Sequence, residues 1–204
     1  MTTPVITLAT KKLSIFHVGP INITLHEGEC IGLSGPSGCG KSILLKALSD
    51  LLESKGEVSL HGQTNTHIEA PEWRKKVQLI PAESLWWFNT VAEHFKKPIN
   101  EEHLKSLSLN SDIKQQAVNQ LSTGQKQRLA LLRSLECKPT VLLLDEPTAS
   151  LDKDNTQRVE KLIQNYLKEN KASALWISHD PEQLKRVASN LLTMNNGQLE
   201  QVSQ

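Results

Sequence analysis

The chain has 204 residues, 38% of them hydrophobic, and its 23 basic side chains almost balance its 22 acidic ones for a net charge of +1. That is enough apolar material for one globular domain with a sizeable core, and too little for two independent domains. The charge balance argues against a polybasic nucleic-acid binder and against a long charged tail, and no apolar run is long enough to cross a bilayer.

The start, Met1-Thr2-Thr3-Pro4, has no basic stretch followed by an apolar one, so a secretory signal is not expected. Cys30, Cys39 and Cys137 form no close pair and no metal-ligand spacing, which reads as three reduced thiols. Residues 5–9, 13–18 and 21–25 alternate as three strands, with Gly19-Pro20 dividing the last two. A turn at 26–29 leads into a short buried strand over 30–34 and a glycine loop. Residues 41–52 then carry Ile43, Leu44, Ala47, Leu48 and Leu51 at helical spacing, and extended structure resumes over 57–60.

Residues 84–120 change character, with two or three modest helical segments punctuated by Pro98 and Asn110-Ser111-Asp112. A helix follows 121–125, with Leu129, Leu132 and Leu135 on one side and Pro139 as its stop. Residues 141–144 are continuously apolar, as in a central parallel strand buried on both faces. A helix over 157–166, a buried strand over 174–177, a helix over 181–188 and a hairpin of 191–194 with 198–202 complete the chain. The pattern predicts an α/β nucleotide-binding core with an antiparallel layer at the N-terminus and a helical insertion, divided as 1–83 plus 138–204 for the core and 84–137 for the insertion.

Gly35-Pro36-Ser37-Gly38-Cys39-Gly40-Lys41-Ser42 matches the phosphate-loop pattern G-x-x-x-x-G-K-[ST] in full, between a strand and a helix. Glycines let successive backbone N–H groups turn toward phosphate oxygens, and the helix N-terminus adds partial positive charge. Lys41 is expected to reach the β- and γ-phosphates of ATP, the Ser42 hydroxyl to ligate Mg²⁺, and Ile43 to continue the nucleotide-binding run. The second half is Asp145-Glu146, two carboxylates at the C-terminal end of an apolar strand, where open α/β sheets place ligands. Asp145 is suited to organise Mg²⁺, largely through water, and Glu146 to polarise the attacking water.

Leu121-Ser122-Thr123-Gly124-Gln125, followed by Lys126-Gln127-Arg128, resembles the LSGGQ signature of ATP-binding cassette (ABC) ATPases, a P-loop NTPase family, with threonine in place of the first glycine. The resemblance covers nearly the whole chain in family order: phosphate loop, helical insertion, signature, acidic strand, Ser150-Leu151-Asp152 as D-loop and His179 as H-loop. It implies an ATPase in which two copies form a head-to-tail homodimer around two ATP–Mg²⁺, each signature covering the γ-phosphate held by the other copy. Ser122 and Gly124, read as preceding a helix, offer a hydroxyl and free N–H groups to that anion. Asp152 is implied to connect the two sites, and His179 to hold the γ-phosphate, the water and Glu146 in register.

Three departures from the family pattern stand out. Val77-Gln78-Leu79-Ile80-Pro81-Ala82-Glu83 aligns with the Q-loop, so Ala82 replaces a glutamine that touches Mg²⁺; Glu83 then either ligates the metal, leaves that place to water, or faces solvent. For the aromatic that stacks on adenine, Phe16 or His17 lies in the region, and Phe16 reads equally as a core residue. Thr123 is compatible with the signature if its position does not need positive φ.

The resemblance narrows toward small stand-alone ATPases of the FetA/YbbL type, implying metal (iron) export through a separate transmembrane permease, and a place on the cytoplasmic face of the inner membrane through that permease. Trp86-Trp87-Phe88 is the expected contact, because aromatics anchor interfaces, with local packing as the alternative. An ATPase serving another solute, lipoprotein, peptide or amino-acid permease competes with this reading. A soluble ABC ATPase acting on nucleic acid or ribosomes lacks support from the short insertion, and nucleic acid is not an expected partner. A weakly hydrolysing regulatory subunit draws only on Ala82.

Overall fold

The structure, a computed structural model, describes residues 4–201. Along the chain come β1 (Ile6–Ile15), β2 (Val18–Ile21), β3 (Thr24–His26), β4 (Cys30–Ser34), α1 (Lys41–Leu48), β5 (Lys55–Leu60), β6 (Gln63–Thr64), α2 (Ala70–Lys76) and β7 (Val77–Ile80). Then follow α3 (Glu101–Ser106), α4 (Thr123–Leu135), β8 (Val141–Asp145), α5 (Lys153–Asn170), β9 (Ser173–Ile177), α6 (Pro181–Val187), β10 (Asn190–Asn195) and β11 (Gln198–Gln201).

Two sheets result. The first is antiparallel, in the order β2-β1-β5-β6 with β3 also paired to β1. The second runs β11-β10-β4-β9-β8-β7 and is parallel except for the β10–β11 hairpin. The expected α/β P-loop architecture, with an antiparallel layer and helical insertion, is what the chain adopts.

The apolar run of β8 is buried on both faces because its residues alternate between two cores. Val141 and Leu143 join Leu33, Leu44, Leu45, Leu48, Leu175 and Ile177 under the antiparallel layer. Leu142 and Leu144 join Trp176 and the helices of the other face, including Leu129, Leu132, Val159 and Ile163. Leu104, Leu107, Ile113 and Leu121 of the insertion belong to that same second core. The insertion therefore shares its apolar packing with β7 and β8.

Several elements differ from the sequence expectation. Residues 5–9 and 13–18 are largely one strand, β1, which stays paired by bulging at Lys12, where φ is 51°. The third expected strand is instead split into β2 and β3. At the break Thr10 Oγ1 donates to Ile21 O at 3.1 Å and accepts from Ile23 N at 2.9 Å, standing in for ladder bonds. Gly19-Pro20 lies inside β2 instead of ending it.

The first helix stops at Leu48 rather than 52, because α2 takes its terminal carbonyls: Trp73 Nε1 donates to Leu48 O at 2.9 Å and Arg74 to Asp50 O at 2.9 Å. That short helix, α2, lies in a stretch for which the sequence reading names no element. The helix expected at 157–166 runs from Lys153 to Asn170, started by Asp152 and ended by Lys171 at φ 50°. The closing hairpin stands as expected, except that Val202 lies outside the described residues. All three cysteines are free thiols.

Candidate active site

The parallel order of β4, β9 and β8 carries three loops to one edge of the sheet. Leu33 pairs with Ile177 and Ile177 with Asp145, so the phosphate loop after β4, His179 after β9 and Glu146 after β8 leave side by side. Here open α/β sheets bind ligands.

Two glycines of the phosphate loop are demanded by their surroundings. Gly35 has φ 142°, and a Cβ there would sit 2.3 Å from Met194 O; Gly40 has φ 112°, and a Cβ there would sit 2.3 Å from Val18 Cγ2. Both clashes are with the chain's two ends of sequence, β10 and β2, which clamp the loop from outside. Gly197 N adds a hydrogen bond of 3.1 Å to Cys39 O. Lys41 is buried, and its Nζ donates to Gly35 O at 2.7 Å and Pro36 O at 3.0 Å, so the ammonium folds back along the loop it follows. Ser42 is exposed in the first turn of α1, and Ile43 is half-buried behind it. Cys39 is buried, 3.9 Å from the Lys41 ammonium.

Glu146 stands at φ 50°, an unusual conformation for a side chain of its size. Three backbone bonds hold it: its N–H donates to Ile177 O at 3.2 Å, and its carbonyl accepts from Ala149 N at 3.2 Å and Gln127 Nε2 at 2.9 Å. The carboxylate Oε1 lies 3.5 Å from His179 Nε2 and is buried without a hydrogen-bond partner. Burial pushes the Glu146 carboxyl above its usual range, against the opposing influence of His179 and Lys41. Asp145 is half-buried at the end of β8.

A polar network not singled out in the sequence joins these two loops behind the site. Gln183, four residues after His179, exchanges hydrogen bonds with Thr148, two residues after Glu146: Nε2 to Thr148 Oγ1 at 2.9 Å and Thr148 Oγ1 to Oε1 at 3.1 Å. The same amide donates to Glu160 Oε1 of α5 at 2.9 Å, and Arg186 pairs with that carboxylate at 2.8 Å. Thr148, Glu160 and Gln183 are all buried.

Among the described residues no hydrogen bond or ion pair joins 122–125 to the phosphate loop of the same chain. Ser122 caps α4 in a reciprocal box: Gln125 N donates to Ser122 Oγ at 3.2 Å, and Ser122 N to Gln125 Oε1 at 2.9 Å. Thr123 and Gly124 are the first helical residues, so Gly124 lies within the helix rather than before it. Neither has positive φ, which explains why threonine fits. Gly124 is needed for closeness: a Cβ there would sit 3.0 Å from Leu151 Cδ2 and 3.3 Å from Ser150 O of the D-loop. Asp152 caps α5, accepting from Asn155 N at 2.8 Å and Asn155 Nδ2 at 2.8 Å, and these bonds hold its carboxyl below the usual range.

Ala82 and Glu83 are exposed in the loop after β7, whose Ile80 pairs with Leu144, so that loop leaves the sheet beside Asp145. Phe16 is 80% exposed at φ 50°, which overturns its reading as a core residue. Its neighbour His17 has Nε2 3.6 Å from the Cβ position of Gly40, so this turn lies against the phosphate loop.

A profile of the ABC transporter family matches residues 18–149. The chain belongs to that family. It is an ATP-binding and ATP-hydrolysing ABC domain. It is 36% identical to a phosphate import ATP-binding protein, PstB, of Saccharolobus solfataricus, over 88% of this chain and 79% of the relative. It is 31% identical to a probable iron export ATP-binding protein, FetA, of Escherichia coli, over 85% of this chain and 82% of the relative. In fold it resembles a dimeric ATP-binding cassette, MJ0796, solved with ADP and phosphate, at a TM-score of 0.80 and 22% identity, covering 97% of this chain and 99% of that one. No helix among the described residues is long and apolar enough to cross a membrane.

This ABC domain also carries an aromatic surface loop with an internal frame. Trp87 is 62% and Phe88 50% exposed, while Trp86 is half-buried. His94, buried beneath them, accepts from Trp87 N at 2.9 Å and Phe88 N at 3.0 Å through Nε2. Its Nδ1 lies 2.9 Å from Thr90 O, which assigns the proton to Nδ1. The Arg133 guanidinium sits 4.7 Å from the ring centroids of both Trp86 and Trp87.

Proposed function

We propose that this chain is the ATPase subunit of an ABC transporter, working as a head-to-tail homodimer around two ATP molecules and driving a separate membrane permease. The observation that carries the catalytic part is Glu146 Oε1. A buried carboxylate oxygen with no partner, 3.5 Å from His179 and beside a phosphate loop, needs a guest to satisfy it. The water that attacks the γ-phosphate is that guest.

In this reading the backbone of Gly35 to Ser42 cradles the phosphates, and Lys41 swings from the loop carbonyls to the β- and γ-oxygens. Glu146 takes the proton of the attacking water, helped by a carboxyl whose burial makes it a better base. His179 holds that water and the γ-phosphate in register. The donor set fits Mg²⁺: an exposed Ser42 hydroxyl and the Asp145 carboxylate, with no cluster of three His, Cys, Asp or Glu among the described residues, suits a cation completed by phosphates and water. Bound there, Mg²⁺ would neutralise charge on the phosphates. Glu83, exposed in the Q-loop, would be a further metal contact, supplying a charged oxygen where Ala82 has none. Phe16, exposed and conformationally strained beside the phosphate loop, is the surface for adenine.

Ser122 to Gln125 and Asp152 complete the site of the second copy. Among the described residues no hydrogen bond ties them to the phosphate loop of their own chain, which supports a composite site. The aromatic loop of Trp86-Trp87-Phe88 is the permease contact, because it exposes large apolar side chains on a frame fixed by His94 and Arg133. The division into a core of 1–83 plus 138–204 and an insertion of 84–137 follows from this assignment.

The relatives are named for different solutes and opposite directions, and nothing in the proposed ATP-site residues selects a solute. The functional reading is therefore an ATPase for a permease of unassigned cargo, with iron export one member of that set.

Changing Glu146 to Gln should keep ATP binding, accumulate an ATP-held dimer visible by size-exclusion chromatography, and lose most turnover. A variant that hydrolyses ATP at the wild-type rate removes Glu146 from catalysis. Co-purification with a multi-spanning protein from detergent-solubilised membranes tests the permease; association with ribosomes or DNA instead would overturn it.

A further inference from the structure

The signature helix and the catalytic glutamate belong to different composite sites, yet one buried side chain joins them within each chain. Gln127 lies on α4, two residues beyond the signature, and is buried. Its Nε2 donates to the carbonyl of Glu146 at 2.9 Å, while its Oε1 is buried with no partner. The orientation of the amide is thus set by one bond, and only its NH₂ end can donate to a carbonyl.

The acceptor matters. Glu146 holds φ 50°, a conformation that a non-glycine residue keeps only where its surroundings over-determine it. Ile177 O and Ala149 N supply two of its restraints, both from the segments flanking the site itself. Gln127 supplies the third, and it alone comes from the signature helix.

Two more contacts bind the same turns of α4 to the chain after Glu146. Gly124 packs against Ser150 and Leu151 so closely that a Cβ would meet Leu151 Cδ2 at 3.0 Å. Arg128 donates from Nε to Gly124 O at 3.1 Å and from Nη1 to Asn155 Oδ1 at 2.8 Å, and Asn155 in turn holds Asp152. The start of α4 and the segment from Glu146 to Asn155 are therefore one packed unit.

We propose that Gln127 is a positioning residue that makes the aim of Glu146 depend on the placement of the signature helix. In the head-to-tail dimer, on which this inference rests, a chain's signature grips one ATP while its Glu146 acts on the other. A shift of α4 on capturing the first nucleotide is delivered through the Gln127 amide to the peptide that orients the glutamate of the second site. The two sites are coupled through each chain, not only across the interface.

The test compares Gln127→Met, which keeps length and volume without a donor, with Gln127→Asn, which keeps the amide but not its reach. In purified full-length chain, kcat should fall by about 10–100-fold, the scale expected when a catalytic group is misplaced by an ångström or less. KM for ATP should stay within about threefold, and the Hill coefficient for ATP should move toward one. In mixed dimers carrying one Gln127→Met chain and one wild-type chain, half the turnover should survive, because one glutamate remains tied.

Both variants turning over within twofold of wild type would overturn the proposal. So would a parallel loss of kcat, ATP affinity and melting temperature in both, which marks a packing role. The dimer trapped by Glu146→Gln separates the two layers: if it does not form with ATP, the head-to-tail reading fails first, and with it this coupling.

Discussion

Gln183 is the residue whose replacement most directly tests whether the loops of Glu146 and His179 are braced from behind. Gln183→Leu keeps the approximate volume and removes the amide. The Thr148 hydroxyl, buried, then loses both of its partners, and Glu160 Oε1 keeps only Arg186. A neutral hydrogen bond contributes about 0.5–1.5 kcal/mol and one to a carboxylate about 1.5–3 kcal/mol. The sum over two neutral bonds and one to the carboxylate, ~2.5–6 kcal/mol, is tempered by Arg186 holding the carboxylate from its solvent side.

For a chain of this length each kcal/mol moves Tm by about 2–4 °C, so a fall of roughly 5–24 °C is expected in a thermal melt. Turnover at 25 °C should fall as well, since Thr148 and Gln183 lie close in sequence to Glu146 and His179. The cycle with Thr148→Val isolates the pair: the double variant should be less destabilised than the sum of the singles by about 0.5 kcal/mol or more. A Gln183→Leu protein melting within about 1 °C of wild type, with unchanged kcat, would refute the brace, because buried polar groups left unpaired cannot be neutral.

Other outcomes follow from the same geometry. Burial raises the Glu146 carboxyl, and a base works only when ionised, so turnover should be lost as pH falls through that raised value; the acid limb of kcat should lie above the ordinary glutamate pKa of about 4.3. A limb at or below that value contradicts the desolvation argument. Phe16→Ala should weaken ATP binding by about 5–150-fold, the range of one base–aromatic stack, and leave Tm within a degree or two because the ring is 80% exposed. Unchanged affinity by calorimetry would move the adenine elsewhere. His94→Ala strips the acceptor from two backbone N–H groups, so the 84–90 loop should lose protease resistance and its near-UV signal from Trp86 and Trp87, while the ATPase rate of the isolated chain changes less than about twofold. An unaltered loop would show that His94 is not its frame.

Much of this protein was legible in the sequence because its chemistry is local. A phosphate loop is a backbone conformation written by glycines at fixed spacing, and β8 announces a strand buried on both faces by being apolar at every position. The signature, the D-loop and His179 could be recognised by order alone. Even the tolerance of Thr123 followed from a local question about φ, which the helical start of α4 answers.

Where reading along the chain fell short, contacts between distant segments made the decision. Residues 5–18 form nearly one strand because Thr10 and the bulge at Lys12 satisfy a ladder whose partners come from three other stretches. Helix α1 ends early because Trp73, twenty-five residues on, takes its last carbonyl. Phe16 is outside the core, although its apolar character allowed either place, because the turn leaves it no partner.

The sequence alone determined that this chain is of the ATP-binding class and which residues to propose for the phosphates, since phosphate chemistry needs particular groups at short spacing. Only the tertiary structure placed Glu146 at positive φ with an unpaired oxygen near His179, and tied its carbonyl to Gln127. Those contacts join residues that the sequence separates by 33 and 19 positions. Their geometry is set by strand order and helix packing, which no local pattern encodes.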